Sequence, residues 1–453
     1  MKKLNKAVGL GVVWLLFLTL ASAPAQAQQG QSFTLQQAVQ YALAHKAAVQ
    51  NAKLDVESAK ARVGEVRAIG LPQVTGGVDY SNNLAIQRVF LPAAFVGDPT
   101  PGAVIAAPFG TRHSNSLALN GSQLLFDGSY LLGLKAASVY TQLSEKSLQQ
   151  TEIQTADAVT RAYYTILITD ARAGLVYQNL VRLDSMLRET RILNQNGFVE
   201  KIDVDRLEVT RNNLQTERTK LKNLQELGYN LLKFQMGMPQ AQAITLTGTI
   251  QEAIVMAEEQ NQQINYGNRV EYSLLQVNKQ LATLDLKNKR AGYLPRLVLT
   301  GRYGVNTASD DLGDIFTPDN YFQFATVGLG IQVPVFDGFS KKYQIQQSRI
   351  ALQKIDVGAK ELENTIDLQV AQANTNLRNA KVQIEAQERN RALAQEVVRV
   401  AQIKYREGVG SSIEVLNAET SLKEAETNYF SALYDLIISQ VDLRLANGSL
   451  LNQ

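Results

Sequence analysis

Apolar positions recur along this chain with two different periods, and the period switches at fixed landmarks. From Ser129 to Asn196 apolar residues return at alternating spacings of three and four, as in Val176, Leu180, Leu183 and Leu187. The stretch has no proline, and only Gly133 and Gly174 interrupt good helix formers. That pattern predicts one helix packed along a stripe in coiled-coil fashion. At 1.5 Å per residue, about 68 residues would span roughly 100 Å, which no compact domain needs. Leu422, Ala425, Tyr429, Ala432 and Leu436 carry the same stripe near the C-terminus.

Elsewhere the period is two. In "RLVLTGRYGVN" (296–306), Leu297, Leu299, Tyr303 and Val305 alternate with Val298, Thr300, Arg302 and Asn306. In "FQFATVGLGIQVPVF" (322–336), Val327, Leu329, Ile331 and Val333 oppose Thr326, Gly328, Gly330 and Gln332. Runs near 74–82 and 116–126 alternate less cleanly. One reading is a soluble sheet resting on a core. Strands of about ten residues with one apolar and one small, polar face equally match a barrel in an outer membrane. Tyr80, Phe90, Phe126, Tyr303, Tyr321, Phe322 and Phe336 are expected near strand ends, where an aromatic girdle would lie. Four strands cannot close a barrel, and open edges are not tolerated in lipid, so that reading requires an oligomer. Two chains would supply about eight strands and three about twelve; the strands themselves do not choose.

The switches are duplicated. Phe126-Asp127-Gly128 and Phe336-Asp337-Gly338 lie 210 positions apart, each between a strand-like and a helix-like run. "NGFVEKIDVDRLEV" (196–209) matches "EGVGSSIEVLNAET" (407–420) at an offset of 211, and Leu71-Pro72 answers Leu294-Pro295. The chain therefore reads as a tandem duplication. Residues 28–248 form the first repeat: a helix over about 34–69, two strands at about 73–126, a long helix 129–196 and a return helix 202–236. Residues 249–453 form the second: a helix, two strands at about 296–336, a long helix 339–407 and a return helix 412–447. Pro72 and Pro295 stop the first helices. Gly197 and Gly408 mark hairpin tips where the chain reverses. Gly128 and Gly338 are expected to free the backbone for the bend, with Asp127 and Asp337 accepting from the first helical amides. Ser411 and Glu414 have the spacing of a capping box.

Composition adjusts the picture at the N-terminus. Lys2, Lys3 and Lys6, the apolar run 8–20 and Ala25-Gln26-Ala27 read as a signal peptide, residues 1–27. Of 45 basic side chains three lie in that segment, so 42 remain against 42 acidic ones. A neutral balance argues against a nucleic-acid partner. With no cysteine, the exported chain relies on burial and hydrogen bonds. His45 and His113 are the only histidines and are expected at the surface; no catalytic, metal or cofactor site is expected, and the chain does not read as an enzyme. The acidic residues scattered along the helices read as solvated faces.

"TLQQAVQYALAHKAAV" (34–49), Leu71-Pro72, Phe126-Asp127-Gly128, "KYREGVGSSIEVLNAE" (404–419) and "YFSALYDLIISQVDLRLANG" (429–448), taken in order and duplicated, resemble the TolC-like family of outer-membrane efflux channels. The resemblance covers essentially the whole chain beyond residue 27. It implies an α+β membrane protein in which a coiled-coil-like helical tunnel joins four transmembrane strands per chain, and a homotrimer closes a 12-stranded β-barrel in outer-membrane lipid. It implies a passive conduit of a tripartite pump, fed by an inner-membrane transporter through a periplasmic adaptor. Residues 84–113 and 307–320 become outer loops. The tips Gly197, Phe198, Gly408, Val409, Gly410 and Ser411 become the adaptor-docking end, and Asp127, Gly128, Asp337, Gly338, Pro72 and Pro295 the barrel–tunnel joint. Asp203, Arg206, Glu414, Asn417 and Tyr405 match the family's periplasmic gate; Asn417 replaces an acid often found there, and Gly410 an arginine. The exit duct of a type I secretion system and a periplasmic coiled-coil scaffold are the competing readings.

Overall fold

A computed structural model describes residues 31–92, 102, 104–250 and 264–451. The expected signal segment and residues 251–263 of the helix expected over 249–293 lie outside the described residues; after them the run is α-helical only from Val270, since 264–269 form a 3-10 turn and loop. In chain order the elements are β1 (Gln31–Phe33), α1 (Leu35–His45), α2 (Ala47–Ala68), β2 (Gln73–Asn82), β3 (Arg88–Pro92), β4 (Val104–Pro108), β5 (His113–Phe126), α3 (Gly128–Gln195), α4 (Lys201–Met236), β6 (Ile244–Leu246), α5 (Val270–Ala291), β7 (Arg296–Ser309), β8 (Phe322–Gln332), α6 (Ser340–Arg406) and α7 (Ser412–Ala446). They fall into two compact units. One comprises residues 52–149 and 270–364; the other comprises the described parts of 1–51, 150–269 and 365–453.

The first unit holds an antiparallel sheet in the order β2-β5-β7-β8. Its register joins the apolar halves of all four strands into one face. Val78 pairs with Leu117, Leu117 with Val305, Leu119 with Tyr303, Leu299 with Leu329 and Leu297 with Ile331. A slip of one residue would scatter that set over both faces. Gly304 helps to pin the register: a Cβ there would lie 2.4 Å from the Leu117 carbonyl oxygen. Many of these apolar side chains, among them Val74, Val78, Leu119, Tyr303, Val327 and Ile331, are exposed within the chain. A separate hairpin, β3 with β4, rises inside the stretch expected to be loop.

The structure departs from three expectations. Tyr303 lies mid-strand rather than at an end. Phe90 belongs to the separate hairpin. His113 is not a surface loop residue: it opens β5, is buried, stacks on Tyr80 and bonds the Tyr80 hydroxyl through Nδ1 at 2.9 Å.

The second unit is helical apart from a short parallel pair of β1 and β6. Val176, Leu180, Leu183 and Leu187 of α3 pack with Leu207, Leu214 and Leu221 of α4, Val398 and Ala401 of α6, and Val415, Ala418 and Leu422 of α7. The strict sevens along α4 keep its leucines on one seam, as a left-handed supercoil requires. A second cluster gathers Ala38 and Ala42 of α1, Val159 to Ile168 of α3, Leu232 and Met236 of α4, and Phe430, Leu433 and Ile437 of α7. Burying each large side chain contributes about 1.5–3 kcal/mol. The helix expected over 34–69 is broken at Lys46, whose ψ of 125° is extended. There the Lys46 ammonium donates to the Phe234 carbonyl at 2.9 Å, serving the open C-terminal end of α4. The capping box in this region is that of Thr34 and Gln37.

Candidate functional site

Four helices end in the same way. Gly197, Gly237, Gly408 and Gly448 have φ of 79°, 71°, 74° and 69°. After each, the next residue's N–H reaches back five positions: Phe198 to Leu193 at 2.9 Å, Met238 to Lys233 at 2.8 Å, Val409 to Lys404 at 3.0 Å and Ser449 to Arg444 at 2.9 Å. These are Schellman caps, and the 211-residue offset of the sequence repeat is thus a repeat of chain reversals. At the two tips Phe198 and Val409 are 77% and 78% exposed. Gly410 cannot carry a side chain in this turn, because a Cβ would lie 2.8 Å from the Lys404 Cβ and 3.1 Å from the Tyr405 nitrogen. Its N–H closes the tip on the Lys404 carbonyl at 3.0 Å.

Just past the tips, the Ser412 hydroxyl donates to Asp203 Oδ1, tying the start of α7 to the start of α4. Arg206 lies 3.8 Å from the same carboxylate, one turn along. Ser411 caps α7 by accepting the Glu414 N–H at 3.3 Å, while Glu200 makes no such bond for α4. Glu414 and Asn417, three residues apart, share an exposed face of α7. Tyr405 is held elsewhere, its hydroxyl 3.2 Å from the Thr190 hydroxyl. The five residues therefore form two contacts and one open face rather than a single cluster.

Deeper in the same unit is a polar layer that the pattern of the sequence did not disclose. Arg182 donates to Glu419 through Nε at 3.1 Å and Nη2 at 3.0 Å, and to Asn179 Oδ1 at 2.9 Å. Asn179 donates to Glu426 at 2.7 Å, and Gln402 to Glu419 at 3.0 Å. Glu426 is 5% exposed. Burial pushes its carboxyl above the usual range, and the Asn179 hydrogen bond and nearby Arg182 offset only part of that. Glu217 goes the other way: burial opposes its charge, yet hydrogen bonds from Lys423 and Arg172 hold it below the ordinary value. The acidic side chains expected to be solvated faces are, at these positions, buried or paired. The available signal was Asn179 and Arg182 breaking the apolar stripe between Val176 and Leu183.

Four arginines of α3 alternate between neighbours. Arg161 binds Asp442 of α7 at 2.5 Å, Arg172 binds Glu217 of α4 at 2.9 Å, Arg182 binds Glu419 of α7, and Arg191 binds Glu208 of α4 at 3.2 Å. Of these pairs the half-exposed one, Arg191 with Glu208, contributes little, about 0–1 kcal/mol. Their alternation fixes α3 in register with both helices.

At the joint, Asp127 Oδ1 accepts from the amides of Ser129 and Tyr130 at 2.8 and 3.1 Å, and Asp337 Oδ2 from that of Lys341 at 2.9 Å. The glycines differ. Gly338 has φ 63° and is followed by Phe339 at 67°, so α6 starts one residue later than expected. Gly128 is not left-handed and starts α3 itself; its small size matters because a Cβ would lie 2.8 Å from Leu294 Cδ1. Pro72 and Pro295 immediately precede β2 and β7.

A family model described as "Outer membrane efflux protein" matches residues 38–230 and 275–449. The chain belongs to the outer membrane efflux protein family. Membership places it in the bacterial outer membrane as a transport protein of the TolC-like type. It is 24% identical over 453 residues to the outer membrane protein TolC of Escherichia coli (strain K12), covering 93% of this chain and 84% of that one. It is 23% identical over 428 residues to the probable efflux pump outer membrane protein TtgC of Pseudomonas putida, covering 91% and 82%. Among solved structures, CusC aligns with a TM-score of 0.73 at 18% identity over 91% of each chain. VceC of Vibrio cholerae aligns at 0.70 and 16% identity, over 91% of this chain and 96% of that one. These structures share the α+β fold. Among the described residues of this efflux protein, no helix is long and apolar enough to cross a membrane.

Proposed function

We propose that three copies of this chain close a 12-stranded barrel in the outer membrane, continued by a helical tunnel, as the passive conduit of a tripartite efflux pump. One observation carries the reading. Within β2, β5, β7 and β8 the residues with formal charge are Asp79, Arg296 and Arg302, and all three lie on the face opposite the apolar one. A sheet with a charge-free, exposed apolar face, and an opposite face that carries the charges among mostly small or polar side chains, suits lipid on one side and water on the other. The open edges of β2 and β8 must then pair with other copies, since lipid offers unpaired backbone no partner. The count of three is supported by the family.

The helices support the same assembly. Leu224, Leu227, Leu231 and Phe234 make an exposed seam on α4, and Leu393, Val397 and Val400 another on α6. Two different seams per chain suit head-to-tail contacts that close into a ring. The tip residues Phe198 and Val409 are the adaptor-docking surface, and an inner-membrane transporter delivers the cargo. Asp203, Arg206, Glu414, Asn417 and Tyr405 form the gate. Drug efflux is favoured over protein export by the efflux relatives.

The purified protein should leave outer membranes only with detergent and conduct ions in planar bilayers. Recovery of intact protein in the aqueous fraction, or a Leu227→Asp, Leu231→Asp variant that still assembles, would overturn the reading.

A further inference from the structure

We propose that Arg302 tunes ion selectivity inside the barrel, as a mid-depth cationic ring that favours anionic permeants such as carboxylates and phosphate esters and opposes the cation preference of the acidic gate. The proposal rests on the barrel closing as described above. The register puts Arg302 opposite Asn120 on β5 and Thr326 on β8. Its neighbours on that face are short or neutral: Thr300, Gly304, Gly328, Ser122 and Thr75. The longest side chain of the neighbourhood is therefore the charged one, and it is exposed.

Arg302 has no carboxylate partner among the described residues. Its guanidinium instead sits over the Phe324 ring, 5.1 Å from the centroid, which limits its sweep without neutralising it. The other two charges on this face differ. Arg296 stands 3.6 Å from Asp127 and is locally balanced. Asp79 pairs in register with Ser116 and through it with Asn306, four residues farther along the strands and two strands away. At about 3.4 Å per residue and 4.8 Å per strand, that is more than roughly 15 Å. The separation exceeds the Debye length of about 8 Å at physiological salt, so Asp79 does not cancel the guanidinium. Three copies in a lumen walled by a low-dielectric barrel would focus the field further.

The chain has no cysteine, so single-cysteine variants report cleanly. In the full-length protein in outer-membrane vesicles, Arg302→Cys should react with a membrane-impermeant thiol reagent and Tyr303→Cys should not. Reversal potentials of the purified channel across a potassium chloride gradient then read selectivity. Arg302→Gln should raise the potassium-to-chloride permeability ratio by roughly twofold or more, Arg302→Glu further, and Arg302→Lys should stay near wild type. An unchanged ratio in the Gln and Glu variants, alongside labelling of the Arg302→Cys variant, overturns the proposal and leaves the barrel standing. Failure of the Arg302→Cys variant to label while the Tyr303→Cys variant reacts overturns the barrel orientation and the proposal with it.

Discussion

Arg182 on α3 grips Glu419 on α7 with two donors, at 3.1 and 3.0 Å, while Gln402 of α6 takes the same carboxylate at 3.0 Å. Three helices meet on one largely buried acid. Removing either charge strands the other. Glu419→Gln or Arg182→Ala should therefore destabilise the helical unit by about 1–3 kcal/mol. The check is chemical denaturation of the detergent-solubilised protein, with Arg191→Ala, in its exposed pair, changing stability by less than about 1 kcal/mol.

Glu426 and Glu217 should give opposite pH dependence. The folded state holds the Glu426 proton more firmly than the unfolded state does, so stability falls as pH rises above the ordinary value of 4.5. Glu426→Gln still accepts from Asn179 and should be the more stable protein at neutral pH, with the difference vanishing below about pH 4. The Glu217 carboxylate is stabilising above its unfolded value, and that contribution is lost as pH falls through its lowered folded value. Glu217→Gln should thus weaken the protein at neutral pH and matter progressively less in acid. Denaturation midpoints from about pH 3.5 to 8 give both slopes.

Two glycines at equivalent places should fail for different reasons. Gly338→Ala puts a Cβ on a left-handed residue with open space around it, costing about 1 kcal/mol. Gly128→Ala has ordinary backbone but meets Leu294. A second substitution, Leu294→Ala, should offset much of the Gly128→Ala loss in dissociation temperature and none of the Gly338→Ala loss.

The gate assignment predicts that Ser412→Ala, which frees Asp203 from α7, widens the periplasmic entrance and raises single-channel conductance. Asp203→Asn and Glu414→Gln should each lower cation preference. Unmoved selectivity in both would place these residues outside the lumen.

The tandem repeat, the long helices and the alternating strands were legible in the linear order of residues, because each depends on local periods and on glycine or proline at fixed places. The seam of Leu207, Leu214 and Leu221 could be counted, and so could the reversals at Gly197 and Gly408. Other features depended on which segments come together. The hairpin of β3 and β4 pairs residues on either side of a stretch without an alternating signal. His113 is buried because Tyr80 crosses from the adjacent strand. Glu426 looked like any helical acid until α3 brought Asn179 against it. Local periods and the glycines at the reversals were enough to place the four long helices and the four strands of the sheet. Which charges are buried and paired follows from the packing of segments far apart in the chain, since solvation and pairing arise between them.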